Sequence, residues 1–295
     1  MFAKVLVMSD GTPISDSLLE CVAGLKAVGC REAVLCHVID VETAAGLQEE
    51  IRERLAPRLE QQRQWLAARG IDATIEMPLG LVQVEVNRLV AEQGCTLVAV
   101  ATHSHNLARD LLIGVTACSV LRHARVPVLL ARVEVLEQGA RCRNLCGDLF
   151  RHLLVPTDFS ANAETVLKAV ERIASVAHPE VTLLHVQDRH RLLPYLEGRL
   201  EEFDRTDQGR LEEIADRLRQ RGAARVETTL ELGHPTEVIL REANGGDYSL
   251  IVMGTHGRGF FSREILGGVA HRIANHAPQP VLFIPPDAES GQPIE

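Results

Sequence analysis

The residues of this chain best suited to chemistry are glycines. Between Gly254 and Gly268, in GTHGRGFFSREILGG, four of five glycines stand at the two ends of a fifteen-residue stretch that follows the apolar run YSLIVM. Gly254 and Gly257 can take positive φ and admit another group close to the backbone, while Gly267 and Gly268 fall where a helix should begin with free N–H groups. Such groups and the helix dipole favour an anion, so the stretch has the makings of a phosphate cradle. Glycines can equally do no more than shape a tight strand-to-helix loop. Two known cradles are excluded by the letters: no Gly-Lys-Ser/Thr follows, and GRGFFS lacks the third glycine of the dinucleotide fingerprint.

The elements that must position this stretch come from an internal repeat. KVLVMSD at Lys4–Asp10 returns as HLLVPTD at His152–Asp158, and LCHVID at Leu35–Asp40 returns as LLHVQD at Leu183–Asp188, both at an offset of 148. Gly80 and Gly233, Gly114 and Gly267, and VPVLLA and QPVLFI correspond at an offset of 153. Boundaries near 133 and 151 follow, giving domains 1–133 and 151–287, a linker 134–150 and a tail 288–295. In the second copy, β-rich runs near 152–157, 180–186, 224–231, 248–253 and 280–284 alternate with helical patterns near 160–177, 195–221, 235–245 and 264–277. Runs such as LIVMG are apolar on both faces, as a parallel sheet covered by helices requires. Each copy is therefore expected to be an α/β domain with a five-stranded parallel sheet and helices on both faces. The long helices read as amphipathic, with core stripes at Leu47, Ile51, Leu55, Leu59 and Trp65 or Leu66, and at Leu196, Leu200, Phe203, Leu211, Ile214 and Leu218. In such a sheet ligands bind beyond the carboxyl ends of the strands, which draws attention to Thr157, Asp158 and Ser160, to Val186–Asp188, and to Gly233–Pro235.

Composition narrows the function classes. A net charge of -9 with no Lys/Arg-rich block argues against nucleic acid, and no run nears the roughly 18 apolar residues of a membrane span. A soluble, cytoplasmic protein is expected. Seven cysteines, an odd number scattered through apolar segments, read as small core residues rather than disulfides. Cys142 and Cys146, with His152 nearby, are weak metal candidates beside the simpler reading of two ordinary thiols.

The stretch GTHGRGFFSREILGGVAHRIANHAPQPVLFIP resembles the universal stress protein A family signature, Gly-x2-Gly-x9-Gly-(Ser/Thr), with HAP-x-PV before the last strand. Gly254, Gly257 and Gly267 match its glycines, LLVPTDFSANAETVLKAV resembles the family's opening strand and helix, and the repeat makes the chain similar to tandem members. The resemblance implies a flavodoxin-like sheet in each half and, in one branch of the family, ATP binding. By position, Asp158, next to Thr157, would hold the adenine, Val186 would meet the base through its backbone, Gly254 and Gly257 would line ribose and phosphates, and Gly267 and Gly268 would hold the phosphate tail. The ligand would be ATP, ADP or AMP, with Mg²⁺ as an accompanying ion. Gly268 replaces the family's Ser/Thr, a loss of roughly one hydrogen bond, on the order of 1 kcal/mol. Arg258, Ser262 and Arg263 stand nearby as compensating groups. Asp158 has a plainer use as a turn or helix cap.

The first copy departs from the motif: Ala101, Ser104 and Val115 replace Gly254, Gly257 and Gly268, and only Gly114 is kept. It reads as a structural partner that does not bind ATP. No catalytic constellation emerges, since His103, His105 and His256 lack an identifiable nucleophile or carboxylate partner in sequence. Three functions follow, in order: a nucleotide-binding stress-response or regulatory module read by an unknown protein partner; an interaction scaffold of the same fold without nucleotide; and a slow ATP hydrolase. The family resemblance also implies an intramolecular pseudo-dimer through the last strands of each half, with homodimerisation of the whole chain left open.

Overall fold

The computed structural model describes residues 2–42, 44, 46–104, 113–136, 141–144, 146, 148–188, 200–257 and 266–286. Two compact units emerge, one formed by Met1–Gly147 with Asp287–Glu295 and the other by Asp148–Pro286.

In the first unit, β1 (Lys4–Met8), β2 (Glu32–Cys36), β4 (Asp72–Glu76), β6 (Leu97–Ser104) and β7 (Val128–Leu136) form a parallel sheet in the order β7-β6-β1-β2-β4. A separate pair, β3 (Ile39–Asp40) and β5 (Leu79–Gly80), extends the paths of β2 and β4. Helices α1 (Pro13–Gly24), α2 (Gln48–Ala67), α3 (Val82–Gln93) and α4 (Val115–His123) connect the strands. The segment 134–150, read from sequence as a linker, carries the end of β7 and a short β8 (Arg141–Asn144) that pairs with it antiparallel.

Cys146, beyond β8, is bonded to Cys21 of α1, with Cα atoms 5.1 Å apart. This corrects the expectation that the cysteines form no disulfide. The partners are 125 residues apart in sequence, so only the folded chain brings them together. The sulfur of Cys146 is consequently not available to a metal. His152 is also engaged, its Nε2 lying 2.9 Å from Thr182 Oγ1, and no metal-binding cluster occurs among the described residues. Cys30, Cys36 and Cys95 are buried thiols as expected; burial pushes Cys36 up to about 12 and the other two up to about 11, which leaves them protonated at neutral pH.

In the second unit, β9 (His152–Thr157), β10 (Glu180–Asp188), β11 (Arg225–Gly233), β12 (Leu250–Gly254) and β13 (Val281–Ile284) are all parallel, in the order β11-β10-β9-β12-β13. The connecting helices are α5 (Ala161–Ala177), α6 (Leu200–Gln220), α7 (Pro235–Gly245) and α8 (Gly268–His276). Sequence periodicity placed these elements within a few residues, because strands covered on both faces must be apolar throughout: β13 is wholly buried, as is β12 up to Met253. In the first unit α2 buries Leu55, Leu59 and Leu66, but Leu47, expected in the same stripe, precedes the helix and is 55% exposed.

Three of the helices begin with a local device. Ser160 caps α5, its hydroxyl accepting from the Ala163 amide at 3.2 Å, while Pro235 opens α7 and Pro13 opens α1. Ser160→Ala is expected to lower the stability of the second unit by about 1 kcal/mol. Urea denaturation followed by circular dichroism measures it, and an unchanged midpoint would show that the cap carries no weight.

Candidate functional site

Strand order reverses between β9 and β12, and there the sheet opens. Only Leu153–Leu250 and Leu154–Ile251 are in register between these strands, so the last three residues of each diverge. The crevice is a cavity of about 320 Å³, in the size range of small-molecule sites, roughly 300–1,000 Å³. Thr157, Asp158, Val186, Gly254, Gly257, Gly267 and Gly268 all border it. Arg258, Ser262 and Arg263 lie outside the described residues.

The glycines are needed here for contact rather than for backbone freedom. Neither Gly254 nor Gly257 adopts the left-handed conformation, contrary to the expectation of positive φ. A Cβ on Gly257 would instead lie 2.9 Å from Asp158 Oδ2, and one on Gly254 would lie 3.1 Å from the His256 carbonyl. Gly267 is the N-cap of α8, but its N–H is not free: it donates to the Thr255 carbonyl at 2.9 Å and closes the loop. The donors left at this helix start are therefore those of the first helical turn. No side chain caps α8, and Gly268, Val269 and Ala270 border the cavity. A Cβ at Gly268 would meet nothing within 4 Å, so the fold leaves room for the hydroxyl residue that this chain lacks.

Asp158 joins the two sides of the crevice. Its Oδ1 accepts from the Ser160 amide at 3.0 Å, which makes the turn into α5, and its Oδ2 faces Gly257. The turn also holds Phe159 in a left-handed conformation, φ 57°, and sets its ring 4.3 Å from that of His185. On the β10 side, the ladder to β9 ends at His185–Thr157, which leaves Val186 one residue beyond the last pairing.

The structure adds residues that sequence reading passed over. His185 is buried, and its Nδ1 donates to the Thr157 carbonyl at 2.7 Å. Its Nε2 lies 3.5 Å from Asp207 Oδ2 of α6, and the same oxygen accepts from Gln187 Nε2 at 3.0 Å. Asp207 sits in the charged run EEFDRTDQGR, where nothing in the letters separates it from solvated neighbours. The only available signal was the His shared by LCHVID and LLHVQD. Among the described lining residues are three carboxylates, Asp158, Asp188 and Asp207, and no Lys or Arg.

The sequence model described as "Universal stress protein family" matches residues 1–132 and 149–285, nearly the whole chain in two copies. The chain belongs to the universal stress protein family. A universal stress protein of Mycolicibacterium smegmatis is 26% identical over 96% of this chain and 97% of its own. One from Methanocaldococcus jannaschii is 28% identical over 46% of this chain and 95% of its own. The crystal structure of a universal stress protein from Archaeoglobus fulgidus shares the fold with a TM-score of 0.77 at 22% identity, covering 97% of this chain and 99% of that one.

The two universal stress protein units treat the switch point differently. In the first, Asp10 Oδ1 accepts from the Thr12 amide at 3.0 Å, the Thr12 hydroxyl at 2.6 Å and the Ser15 hydroxyl. Burial works against its ionisation, but these hydrogen bonds outweigh it and hold the carboxyl below its ordinary value. The carboxylate is spent on starting α1. Helix α2 closes over the same turn: Arg58 Nε donates to the Gly11 carbonyl at 3.1 Å, and buried Gln62 accepts from Ser9 Oγ at 2.7 Å. Gly114 still caps α4 in the backbone conformation that Gly267 has at α8, but Val115 follows it. The side chains of His103 and Ser104, and all of His105, lie outside the described residues. No helix of the described residues is long and apolar enough to cross a membrane.

Proposed function

We propose that the second unit binds an adenine nucleotide, ATP or its ADP or AMP counterpart, and that occupancy changes a surface read by a protein partner. The observation that carries this reading is the meeting of Asp158 and Gly257 across a cavity that also reaches the uncapped start of α8. A helix N-terminus at one end and polar groups of β9 and β10 at the other suit a ligand with an anionic tail and a planar head. In this reading Asp158 and Val186 serve the base, with Thr157 supporting that turn, Gly254 and Gly257 admit the ribose and first phosphates, and Gly267 and Gly268 start the helix that meets the tail. Arg258 follows Gly257 directly in sequence and is assigned to the phosphates on that ground alone.

The described lining is acidic, so phosphate charge must be offset by backbone N–H groups, the dipole of α8 and a bound cation. Mg²⁺ suits that need, since it is held by phosphate oxygens and waters together with one or two carboxylates. Protein purified without added nucleotide is expected to release an adenine nucleotide on denaturation, near one per chain, identified by chromatography. A chain that carries none and shows no calorimetric binding at millimolar ATP belongs instead to the scaffold reading.

The position of Asp158 also favours a second reading, slow ATP hydrolysis. The fold sets the carboxylate of Asp158 directly against Gly257 of the cradle. Phosphate release that depends on Mg²⁺ and is lost in Asp158→Asn, with ATP still bound, would establish it; release equal in parent and variant would remove it.

A further inference from the structure

The cavity has two ends, and the nucleotide reading settles which part of the ligand each would receive. With the phosphates at the start of α8, beyond β12, the base lies on the opposite side of β9, against β10 and α6. The polar groups there include Gln187 and Asp207, beside His185 and Asp188 of β10.

We infer that Asp207 is the residue that selects the base, accepting a hydrogen bond from an exocyclic amine, as adenine carries at its six position. This inference rests on the nucleotide reading above. An ionised carboxylate is an acceptor only, and Asp207 faces donors. Its Oδ2 accepts from Gln187 at 3.0 Å, and Arg210 lies 3.6 Å from Oδ1. His185 spends its Nδ1–H on the Thr157 carbonyl, and its Nε2 lies 3.5 Å from Asp207. Gln187 presents a donor to Asp207 and Arg210 a positive charge. Helix α6 is fixed in turn by Arg217, which binds Glu164 and Glu171 of α5 at 2.6 Å each.

The first unit supplies an internal comparison. Its α2 matches α6 with Leu59 in the place of Leu211, both fully buried, and Arg58 and Arg210 both reach the turn after the first strand. That register sets Leu55 opposite Asp207, and the repeat sets Ile39 opposite Gln187, while His37 still bonds the Ser9 carbonyl as His185 bonds Thr157. The histidine is thus common to both copies and belongs to the fold. The carboxylate and amide occur only where the cavity has the motif glycines.

The test compares ATP with ITP, whose six-position carbonyl presents an acceptor in place of the amine. Parent protein should prefer ATP by roughly ten- to hundredfold, the worth of a hydrogen bond to a charged group. Asp207→Asn, which can offer an N–H₂ to the carbonyl, should bring the ratio near one or invert it. Asp207→Leu, the first unit's choice, should lose the preference without gaining ITP. The ratio is read by calorimetry on the folded fraction, so partial unfolding of a variant does not alter it. Equal affinity of the parent for ATP and ITP, or an unchanged ratio in Asp207→Asn, overturns the inference while the nucleotide reading stands. A parent that binds neither overturns both.

Discussion

Gly257→Val is expected to abolish nucleotide binding, while Ser104→Val, at the counterpart position of the first unit, leaves it unchanged. The Cβ alone would stand 2.9 Å from Asp158 Oδ2, and the branched side chain would separate the two loops that form the crevice. Either Asp158 swings away, losing the turn into α5, or the loop after β12 lifts and closes the approach to α8. A loss of at least about hundredfold in affinity, near 2.7 kcal/mol, is the expected scale. The first unit should be indifferent because Asp10 Oδ1 is engaged by Thr12 and Ser15 and its turn is covered by Arg58 and Leu55. Calorimetric titration with ATP gives both affinity and stoichiometry, with circular dichroism confirming the folded state. One site per chain is predicted; two sites, or equal effects of the two substitutions, would show that the first unit binds as well.

The second large effect concerns the Cys21–Cys146 bond. A cross-link between residues 125 apart removes much of the freedom of the unfolded chain, and both half-cystines are buried, at 0% and 2% exposure. Cys146→Ser should therefore cost the first unit about 2–5 kcal/mol. Reductant should lower the stability of the parent to that of the variant and leave the variant where it is. Chemical denaturation with and without dithiothreitol measures this, and alkylation followed by mass spectrometry counts the thiols. The four other described cysteines, Cys30, Cys36, Cys95 and Cys118, are free in either state. Identical midpoints with and without reductant would mean that the bond contributes nothing to the folded unit.

Much of the molecule was legible in its sequence. The repeat, the alternation of apolar runs with helical periods, and the glycine spacing depend on local patterns that solvent exclusion imposes on any covered parallel sheet. They determined the fold class, the tandem organisation and the family. The same letters placed Asp158 and the motif glycines beyond the strand ends, since strand ends and helix starts are readable from Ser160 and from the strand pattern itself.

What the letters did not determine depends on contacts between distant segments. Whether Gly257 is glycine for its φ or for its neighbour was decided by the approach of Asp158, ninety-nine positions earlier in the chain. Whether Gly267 offers its N–H to a ligand was decided by the Thr255 carbonyl. Asp207 was one acid in a charged helix until the packing of α6 turned it toward His185 and Gln187. Cys21 and Cys146 were two thiols among seven until α1 met the segment after β8. Periodicity reports which face of an element is covered, and for that one segment suffices. Which group touches which is set by the register of elements far apart in the chain, and only the folded sheet supplies that register.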